Sequence, residues 1–287
     1  MITSLKVSNG SSDYALGYTE AEHDRLMRQA TLIAPITERL FREAGVGAGQ
    51  RVLDLGSGLG DVSMAVARLV GPSGKVIGIE RDANSISRAR ERVAAVGLPN
   101  VSFTQADVID LADDEPFDAV VGRFILMFLP DPLSVLRSAV RLLRPGGVLA
   151  FQEPSWVPML AMAAPLPLWS KVLGTIHEIF LRSGPNPELG LELYSLFQKA
   201  GLPAPTMHLD IPLGSDEIFT GIMTDLLRSL LPLGETHGVQ LDALGDFDSL
   251  SERVQAEIAG AGTVVSVVPL VSAWSRRVSA IGIFVGI

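Results

Sequence analysis

The 287-residue sequence predicts an α/β fold in which helices cover both faces of a mostly parallel sheet. Two observations carry the prediction. Short apolar runs typical of buried strands recur along the chain, at residues 51–55, 75–80, 101–107, 116–122 and 148–153. Segments with apolar residues at helical spacing, such as residues 61–70, lie between these runs. Strands that alternate with helices in this way are typical of a doubly wound parallel sheet.

The turn after the first strand contains three glycines at alternate positions, Gly56, Gly58 and Gly60. Glycine lets the backbone turn tightly and lets a ligand approach it closely, and the start of the next helix leaves unpaired N–H groups facing that ligand. The dinucleotide fingerprint is G-x-G-x-x-G or G-x-G-x-x-A. Here the last position of that pattern is Asp61, a carboxylate where a pyrophosphate would need to come close.

Asp54 precedes this turn, and together with the three glycines it resembles the first motif of class I S-adenosylmethionine-dependent methyltransferases, an acidic residue followed by x-G-x-G-x-G. The Leu-Arg-Pro-Gly-Gly turn at residues 143–147 resembles the same family, so the match spans about residues 50–153. The N-terminal tyrosines and the Arg28-Gln29 pair resemble a bacterial small-molecule subgroup of the ubiquinone/menaquinone methyltransferase type. The resemblance implies a Rossmann-like, doubly wound seven-stranded sheet of order 3-2-1-4-5-7-6, with the last strand antiparallel and a helical cap.

The resemblance also implies S-adenosyl-L-methionine as cofactor and S-adenosyl-L-homocysteine as product. Glu80 ends the second strand about 20 residues beyond the glycine turn, where an acid can accept hydrogen bonds from both ribose hydroxyls. In the resembled family the acid at the position of Asp107 contacts the adenine amino group, which donates to a carboxylate. The predicted cofactor-binding residues are Asp54, Gly56, Ser57, Gly58, Gly60, Glu80, Arg81, Ala106, Asp107, Val108, Arg123, Gln29 and Tyr18.

Three parts of the chain are predicted: an N-terminal helical lid over residues 1–45, a cofactor-binding core over 46–153, and a remainder over 154–287 that completes the sheet and carries cap inserts at 154–200 and 215–262. Prolines are expected to interrupt several of the helices. Pro35 is expected to kink or divide the lid helix, and four prolines are expected to keep residues 154–169 irregular. A further break is expected at residues 231–234, which contain Pro232.

The predicted substrate-binding residues are Tyr14, Met127, Trp156 and His177. Trp156 could stack on an aromatic acceptor, or it could belong to the core of the cap. A catalytic base is required only for an acceptor whose proton has a high pKa. His177 and Glu153 are the two candidates for it, and the alternative for each is a packing role.

The expected function is methyl transfer from S-adenosylmethionine to a small apolar metabolite, aromatic ones included, most simply at oxygen. Transfer to carbon in a quinone-type metabolite, or to nitrogen in an amine, stays open. A nicotinamide-dependent oxidoreductase is disfavoured by Asp61 and by the lack of a Tyr-x-x-x-Lys pair. The acids Asp54, Glu80 and Asp107 speak against a non-catalytic nucleotide-binding module.

Composition excludes several other classes of partner. The net charge of −9 argues against a nucleic-acid groove, which requires a basic face. The chain has no cysteine, its four histidines show no metal-ligand spacing, and no apolar run is long enough for a membrane span. A cytoplasmic location is therefore expected. The apolar residues 279–287 are expected either to pack within the chain or to help form a homodimer.

Overall fold

A computed structural model describes residues 19–110 and 115–278, and seven strands of these residues form one sheet. The strands are β1 (Arg51–Leu55), β2 (Lys75–Glu80), β3 (Val101–Gln105), β4 (Phe117–Arg123), β5 (Leu143–Pro154), β6 (Thr206–Asp210) and β9 (Leu270–Arg276). Their order is β3-β2-β1-β4-β5-β9-β6, and β9 runs antiparallel to both of its neighbours. The predicted order and the antiparallel last strand are confirmed. Two short strands, β7 (Leu213–Gly214) and β8 (Val265–Ser266), pair separately.

The helices of the described residues are α1 (Glu20–Ala44), α2 (Asp61–Val70), α3 (Ala83–Ala95), α4 (Pro132–Leu142), α5 (Val157–Ala163), α6 (Pro167–Ser183), α7 (Leu189–Lys199), α8 (Glu217–Thr236) and α9 (Leu250–Ala261). Short 3-10 turns occupy Val108–Asp110, Leu126–Phe128 and Asp242–Leu244. The side chains of Asp82 and Asp131 accept hydrogen bonds at the starts of α3 and α4, so both act as N-caps.

Helices cover both faces of the sheet, because both faces of its central strands are apolar. On one face, Phe41 of α1 and Val66 of α2 belong to a buried cluster with Val52 of β1. On the other face, Leu136 of α4 packs in a cluster with Leu53 of β1. α7 contacts β5, β9 and α4, so it lies in a layer on the sheet. In contrast, α6 contacts α5, α8 and α9, and α8 contacts α1, which together form the cap.

The prolines interrupt fewer helices than expected. α1 runs unbroken through Pro35, and α8 runs unbroken through Pro232. The carbonyl that each proline leaves unbonded belongs to the residue four positions earlier, Thr31 or Arg228, and both lie on exposed helix faces where water can bind the carbonyl. Residues 154–169 are also mostly helical, because their prolines include Pro158 and Pro167 in the first turns of α5 and α6, where no N–H is needed.

The alternating segment after α7 forms a shorter strand than its pattern suggests. β6 ends at Asp210, although the alternation of apolar residues continues to residue 213. Pro212 explains the end, because it has no N–H to donate to a further ladder bond. No helix in the described ranges has the length and apolar character that crossing a bilayer would require.

Candidate active site

A cleft opens at the carboxyl ends of β1, β2 and β4 and contains about 1180 Å³ of empty space, including its open mouth. The glycine turn forms its floor, and the first half of α1, called here the lid (residues 20–30), forms its roof. The lining residues are His23, Leu26, Gln29, Ala30, Gly56, Ser57, Gly58, Leu59, Asp61, Val62, Ile79, Glu80, Arg81, Ser85, Ala106, Asp107, Val108, Arg123, Phe124, Ile125, Phe128 and Leu129. The structure therefore places most of the predicted cofactor-binding residues around one cleft.

The glycine turn presents bare backbone to this cleft. Gly56 and Gly58 have φ angles of 65° and 49°, in the left-handed region that glycine tolerates best. A Cβ on Gly56 would lie 2.6 Å from Ile125 Cδ1, whereas one on Gly58 would meet no atom within 4 Å and would enter open space. The hydroxyl of Ser57 between them is buried and has no hydrogen-bond partner in the described part of the chain. These features suit a ligand that lies directly on the turn.

Asp54 lies beneath the turn and not on the lining of the cleft. Its Oδ2 accepts a hydrogen bond of 2.6 Å from the hydroxyl of Ser63 in α2. Burial raises the pKa of the Asp54 carboxyl to about 7, while the bond from Ser63 and the nearby Arg123 oppose that rise. Oδ1 has no partner among the described residues. The side chain therefore links the end of β1 to α2 and does not line the cleft.

Glu80 occupies the end of β2 and is already held by three backbone N–H groups. Its Oε1 accepts from Arg81 and Asp82 at 2.8 and 3.0 Å, and its Oε2 accepts from Gly58 at 2.9 Å. The carboxylate thus links the glycine turn to the end of β2. Since a carboxylate offers about four acceptor positions, one remains for a ligand hydroxyl without any rearrangement.

Asp107 lies further along the same cleft, between Ala106 and Val108. Its Oδ1 accepts from the N–H of Ile109 at 3.0 Å, so the carboxylate is held at the start of the 3-10 turn. The N–H of Ala106 donates to the carbonyl of Glu80 at 3.0 Å and is therefore not free to bind a ligand. Of the groups expected to read a base, Asp107 and Val108 both line the cleft, whereas the N–H of Ala106 is already engaged.

Arg123 brings a positive charge to the other end of the cleft. Its Nη1 donates to the hydroxyl of Thr37 in α1 at 3.0 Å. Burial lowers the pKa of the guanidinium, and Asp61 and Asp54 partly offset this effect. Arg81 also lines the cleft, on its exposed side.

The lid contributes residues that sequence reasoning missed. His23 is 4% exposed, lines the cleft, and has no hydrogen-bond partner on either ring nitrogen within the described ranges. Gln29, which was predicted, lines the cleft as well. Arg28, its neighbour in the sequence, instead points outward and pairs with Asp225 of α8 at 2.7 Å. His23 lies three residues before Leu26, on the same face of an amphipathic helix, and this spacing could have identified it from the sequence.

A second cavity adjoins the cleft and is called here the acceptor chamber. It contains about 420 Å³ of empty space, including its open mouth, and is lined by Arg25, Leu26, Gln29, Phe124, Met127, Phe128, Pro154, Trp156, Phe180, Leu226 and Val268. Leu26, Gln29, Phe124 and Phe128 line both spaces. Phe124 has a φ of 53° and is the one non-glycine residue of the described chain with positive φ. Backbone strain of this kind costs about 1–3 kcal/mol and clusters at functional sites.

Glu153 is an anchor for the wall between the two spaces. It is 0% exposed, and its Oε1 accepts from the N–H groups of Ile125 and Leu126 at 3.1 and 2.9 Å, while Oε2 accepts from Met127 at 3.3 Å. Burial raises the pKa of the carboxyl to about 8, although the backbone hydrogen bonds act in the opposite direction. Glu153 lines neither the cleft nor the chamber.

The four predicted substrate-binding residues have different outcomes. Met127 and Trp156 line the acceptor chamber, and Trp156 packs edge-on against Phe180 with ring centroids 5.7 Å apart. His177 lies behind Trp156, at 6.0 Å between ring centroids, and its Nε2 is 3.6 Å from the Glu188 carboxylate. Direct contact between His177 and an acceptor would require Trp156 to move. Tyr14, together with the predicted cofactor residue Tyr18, lies outside the described residues.

The cleft fits S-adenosylmethionine better than a dinucleotide. Gly58 opens onto free space, while Glu80 and Asp107 offer acceptors for hydroxyl and amine donors. Asp61 stands at the start of α2, where a pyrophosphate would lie, and pairs with Arg92 at 2.6 Å. Within the described ranges no group of three or more histidines and acids is placed to hold a metal ion.

Comparisons with known proteins agree with this geometry. A family model described as a methyltransferase domain matches residues 47–201. The ubiquinone/menaquinone biosynthesis C-methyltransferase UbiE of Pseudomonas fluorescens is 34% identical over 181 residues, which cover 58% of this chain and 70% of that protein. The arsenite methyltransferase of Aquipseudomonas alcaligenes is 41% identical over 113 residues, which cover 37% of this chain and 33% of that protein.

Solved structures share the fold at low sequence identity. A Bacillus halodurans protein described as a methyltransferase aligns with a TM-score of 0.57 and 18% identity, covering 85% of this chain and 99% of its own. The cyclase SpnF aligns with a TM-score of 0.54 and 18% identity, covering 86% and 82%. These two likenesses concern the fold alone. The family model and the 34% identical relative show the family: the chain belongs to the class I S-adenosylmethionine-dependent methyltransferases.

Proposed function

We propose that the enzyme methylates a small apolar acceptor, aromatic compounds included, which binds in the acceptor chamber and reacts through an oxygen atom. The observation that carries this proposal is the shared wall of the two spaces. Leu26, Gln29, Phe124 and Phe128 line both the cleft and the chamber. A molecule in the chamber would therefore be adjacent to a cofactor in the cleft, which is the arrangement that a direct transfer requires.

S-adenosylmethionine, when bound, supplies a methyl group on a positively charged sulfur that departs as a neutral thioether. The task of the protein is to align the acceptor and to exclude water. Well-oriented reactants can gain roughly 7–11 kcal/mol in this way. Glu153 fixes residues 125–127 through three backbone hydrogen bonds, and this holds the shared wall in place. The lid and α8 close the chamber from the other side through Leu26 and Leu226.

The chemistry of the chamber favours an acceptor that ionises easily. Its lining contains no histidine and no carboxylate, and Arg25 is its one charged residue in the part of the chain described. An aliphatic alcohol would find no base on the described chamber wall to receive its proton, whereas a phenol loses its proton near pH 10, as tyrosine does. Aromatic hydroxyls therefore suit this chamber better than aliphatic ones, and the aromatic side chains Trp156, Phe180 and Phe124 provide stacking surfaces for them.

Methyl transfer to carbon is the second candidate. The observation that favours it is the name of the relative that matches 70% of its own length, a C-methyltransferase of ubiquinone and menaquinone biosynthesis. A phenol-type ring can react at carbon as well as at oxygen, so both candidates share the same class of acceptor. The atom that accepts the methyl group has to be determined by product analysis.

An assay with labelled cofactor separates these candidates. The enzyme is incubated with S-adenosylmethionine carrying a ¹³C-methyl group and with naphthalenes that differ only in a hydroxyl, amino or methyl substituent. NMR then locates the labelled methyl. We expect an O-methyl product from 2-naphthol. A C-methyl product would support the second candidate, and an N-methyl product alone would contradict both.

A matched pair of variants links the product to the chamber. Trp156→Ala removes a large aromatic side chain from the chamber wall, so we expect a higher KM for the acceptor and an unchanged affinity for the cofactor. Leu191→Ala, at an exposed position of α7, is the control and is expected to behave like the wild type. Equal acceptor KM values for wild type and Trp156→Ala would place the acceptor elsewhere.

A further inference from the structure

Arg25 in the lid carries a buried positive charge. Its side chain is 2% exposed, and it contributes the guanidinium to the otherwise apolar wall of the acceptor chamber. Burying an ion is costly unless hydrogen bonds and an opposite charge compensate it. The hydrogen-bond partners of each guanidinium N–H group therefore determine whether the charge is compensated.

Three of the five guanidinium N–H groups have protein partners. Nε donates to Glu22 Oε2 at 2.8 Å, Nη2 donates to Glu22 Oε1 at 2.6 Å, and Nη1 donates to Gln29 Oε1 at 2.6 Å. One N–H on each of Nη1 and Nη2 remains, and neither has a partner among the described residues. A buried donor without a hydrogen bond is unfavourable, so these two donors mark a place where a ligand oxygen would be stabilised.

The network also fixes the direction of these donors. Glu22 is 0% exposed, holds Arg25 through both carboxylate oxygens, and accepts a further bond of 2.9 Å from Ser229 of α8. The planar guanidinium therefore cannot rotate freely. Because Gln29 uses its Oε1 to accept from Arg25, its amide nitrogen presents two more donors at the wall shared with the cleft.

We propose that Arg25 binds an oxygen of the methyl acceptor, so that the acceptor class is an apolar ring compound with a hydroxyl, phenolate or carbonyl oxygen on its ring. This inference rests on the proposed function. The cofactor carboxylate is a competing ligand for Arg25. Arg123 and Gln29 line the cleft, whereas Arg25 lines the chamber and not the cleft. The geometry therefore assigns Arg25 to the acceptor.

The test compares 2-naphthol with 2-methylnaphthalene, two probes of nearly equal shape. Their binding to the enzyme saturated with S-adenosylhomocysteine is measured by isothermal titration calorimetry. We expect 2-naphthol to bind at least about tenfold more tightly, which is about 1.4 kcal/mol. Equal affinities would overturn the role of Arg25 while leaving the apolar chamber intact. Failure of both probes to bind, with S-adenosylhomocysteine still bound, would contradict the proposed function as well.

The variants are chosen so that folding does not obscure the result. Arg25→Met alone would leave Glu22 buried and unpaired, which is strongly destabilising, whereas replacing both partners of a buried ion pair by apolar residues is often tolerated. The informative variant is therefore Glu22→Leu combined with Arg25→Met. Arg28→Met, one turn along the same helix and half exposed, is the control.

We expect the double variant to bind the two naphthalenes about equally and to keep its affinity for S-adenosylhomocysteine, while Arg28→Met retains the preference for 2-naphthol. A preference that persists in the double variant would overturn the proposal. So would a loss of S-adenosylhomocysteine affinity of tenfold or more with the naphthol preference unchanged, because that result would assign Arg25 to the cofactor.

Discussion

Replacing Glu153 by glutamine tests whether this residue anchors the wall or acts as a base. In the structure its carboxyl group is buried, accepts three backbone N–H groups and lines neither the cleft nor the acceptor chamber. Burial raises its pKa to about 8 from an ordinary value of 4.5. Glutamine has nearly the same shape and can still accept from Ile125 and Leu126, but it carries no titratable proton. The weaker bond from Met127, at 3.3 Å, is the one contact that it loses.

The sign of the effect follows from proton binding. Between about pH 5 and pH 8 the folded protein keeps a proton on Glu153 that the unfolded chain has released, so the stabilisation present at low pH is lost as the pH rises. For one proton the free energy of unfolding falls by about 1.4 kcal/mol for each pH unit. Asp54, whose pKa burial raises to about 7, contributes in the same direction. The difference between wild type and Glu153→Gln therefore isolates Glu153.

Urea unfolding of wild type and Glu153→Gln at pH 5, 6, 7 and 8 measures this difference. We expect the stability of the variant relative to wild type to rise by up to about 1.4 kcal/mol for each pH unit. Glu178→Gln, at an exposed position paired with Arg182, is the control and should give curves parallel to wild type. Parallel curves for Glu153→Gln would refute the reasoning. If Glu153 were instead the base, turnover would fall by about 10²–10⁴-fold, whereas an anchor predicts turnover close to wild type.

Three further predictions concern the cleft and the cap. Glu80→Gln should weaken S-adenosylhomocysteine binding about tenfold or more, because the one acceptor position left for a ligand hydroxyl would make a hydrogen bond to a carboxylate, worth about 1.5–3 kcal/mol; calorimetry that finds the same dissociation constant for Glu80→Gln and the exposed control Glu91→Gln would remove Glu80 from the site. Asp107→Ala should weaken binding of adenosine itself, and calorimetry that finds full adenosine affinity would assign the adenine to another residue. His177→Ala should leave cofactor affinity and turnover with a hydroxyl acceptor close to wild type, because Trp156 stands between His177 and the acceptor chamber; a rate profile from pH 6 to 9 that differs from wild type would show that His177 reaches the acceptor.

The cofactor half of the site could be predicted from the sequence because its residues follow one another at strand ends. Gly56, Gly58, Glu80 and Asp107 lie at or just beyond the ends of β1, β2 and β3, and the carboxyl ends of parallel strands meet at one edge of the sheet. Their spacing along the chain therefore implies their proximity in space. The confirmed strand order depended on the family resemblance, because periodicity identifies strands without stating which are neighbours.

The acceptor chamber could not be predicted in the same way. Its wall combines Arg25 of α1, Phe124 after β4, Phe180 of α6 and Leu226 of α8, which are far apart in the sequence and meet through helix packing. A local signal for Arg25 did exist. Glu22, Arg25 and Gln29 follow the i, i+3 and i+4 spacing that places side chains on one helix face. That spacing is just as common on solvated faces, so only the packing of α8 against the lid reveals that the group is buried.

The cleft and the acceptor chamber are held in place by different parts of the fold, and this difference affects which acceptor the enzyme selects. The cleft is built from turns fixed by the sheet, as when Glu80 holds Gly58, so its shape follows from the shared fold. The chamber depends on the lid and the cap, which are joined by Glu22–Ser229 and by the exposed pair Arg28–Asp225. Exposed ion pairs contribute little, about 0–1 kcal/mol. The lid is secured mainly by apolar packing and one buried network, so substitutions at a lid position that lines only the chamber, such as Arg25, would change the acceptor and leave the lining of the cleft intact. A relative can therefore share the cleft and still methylate a different molecule.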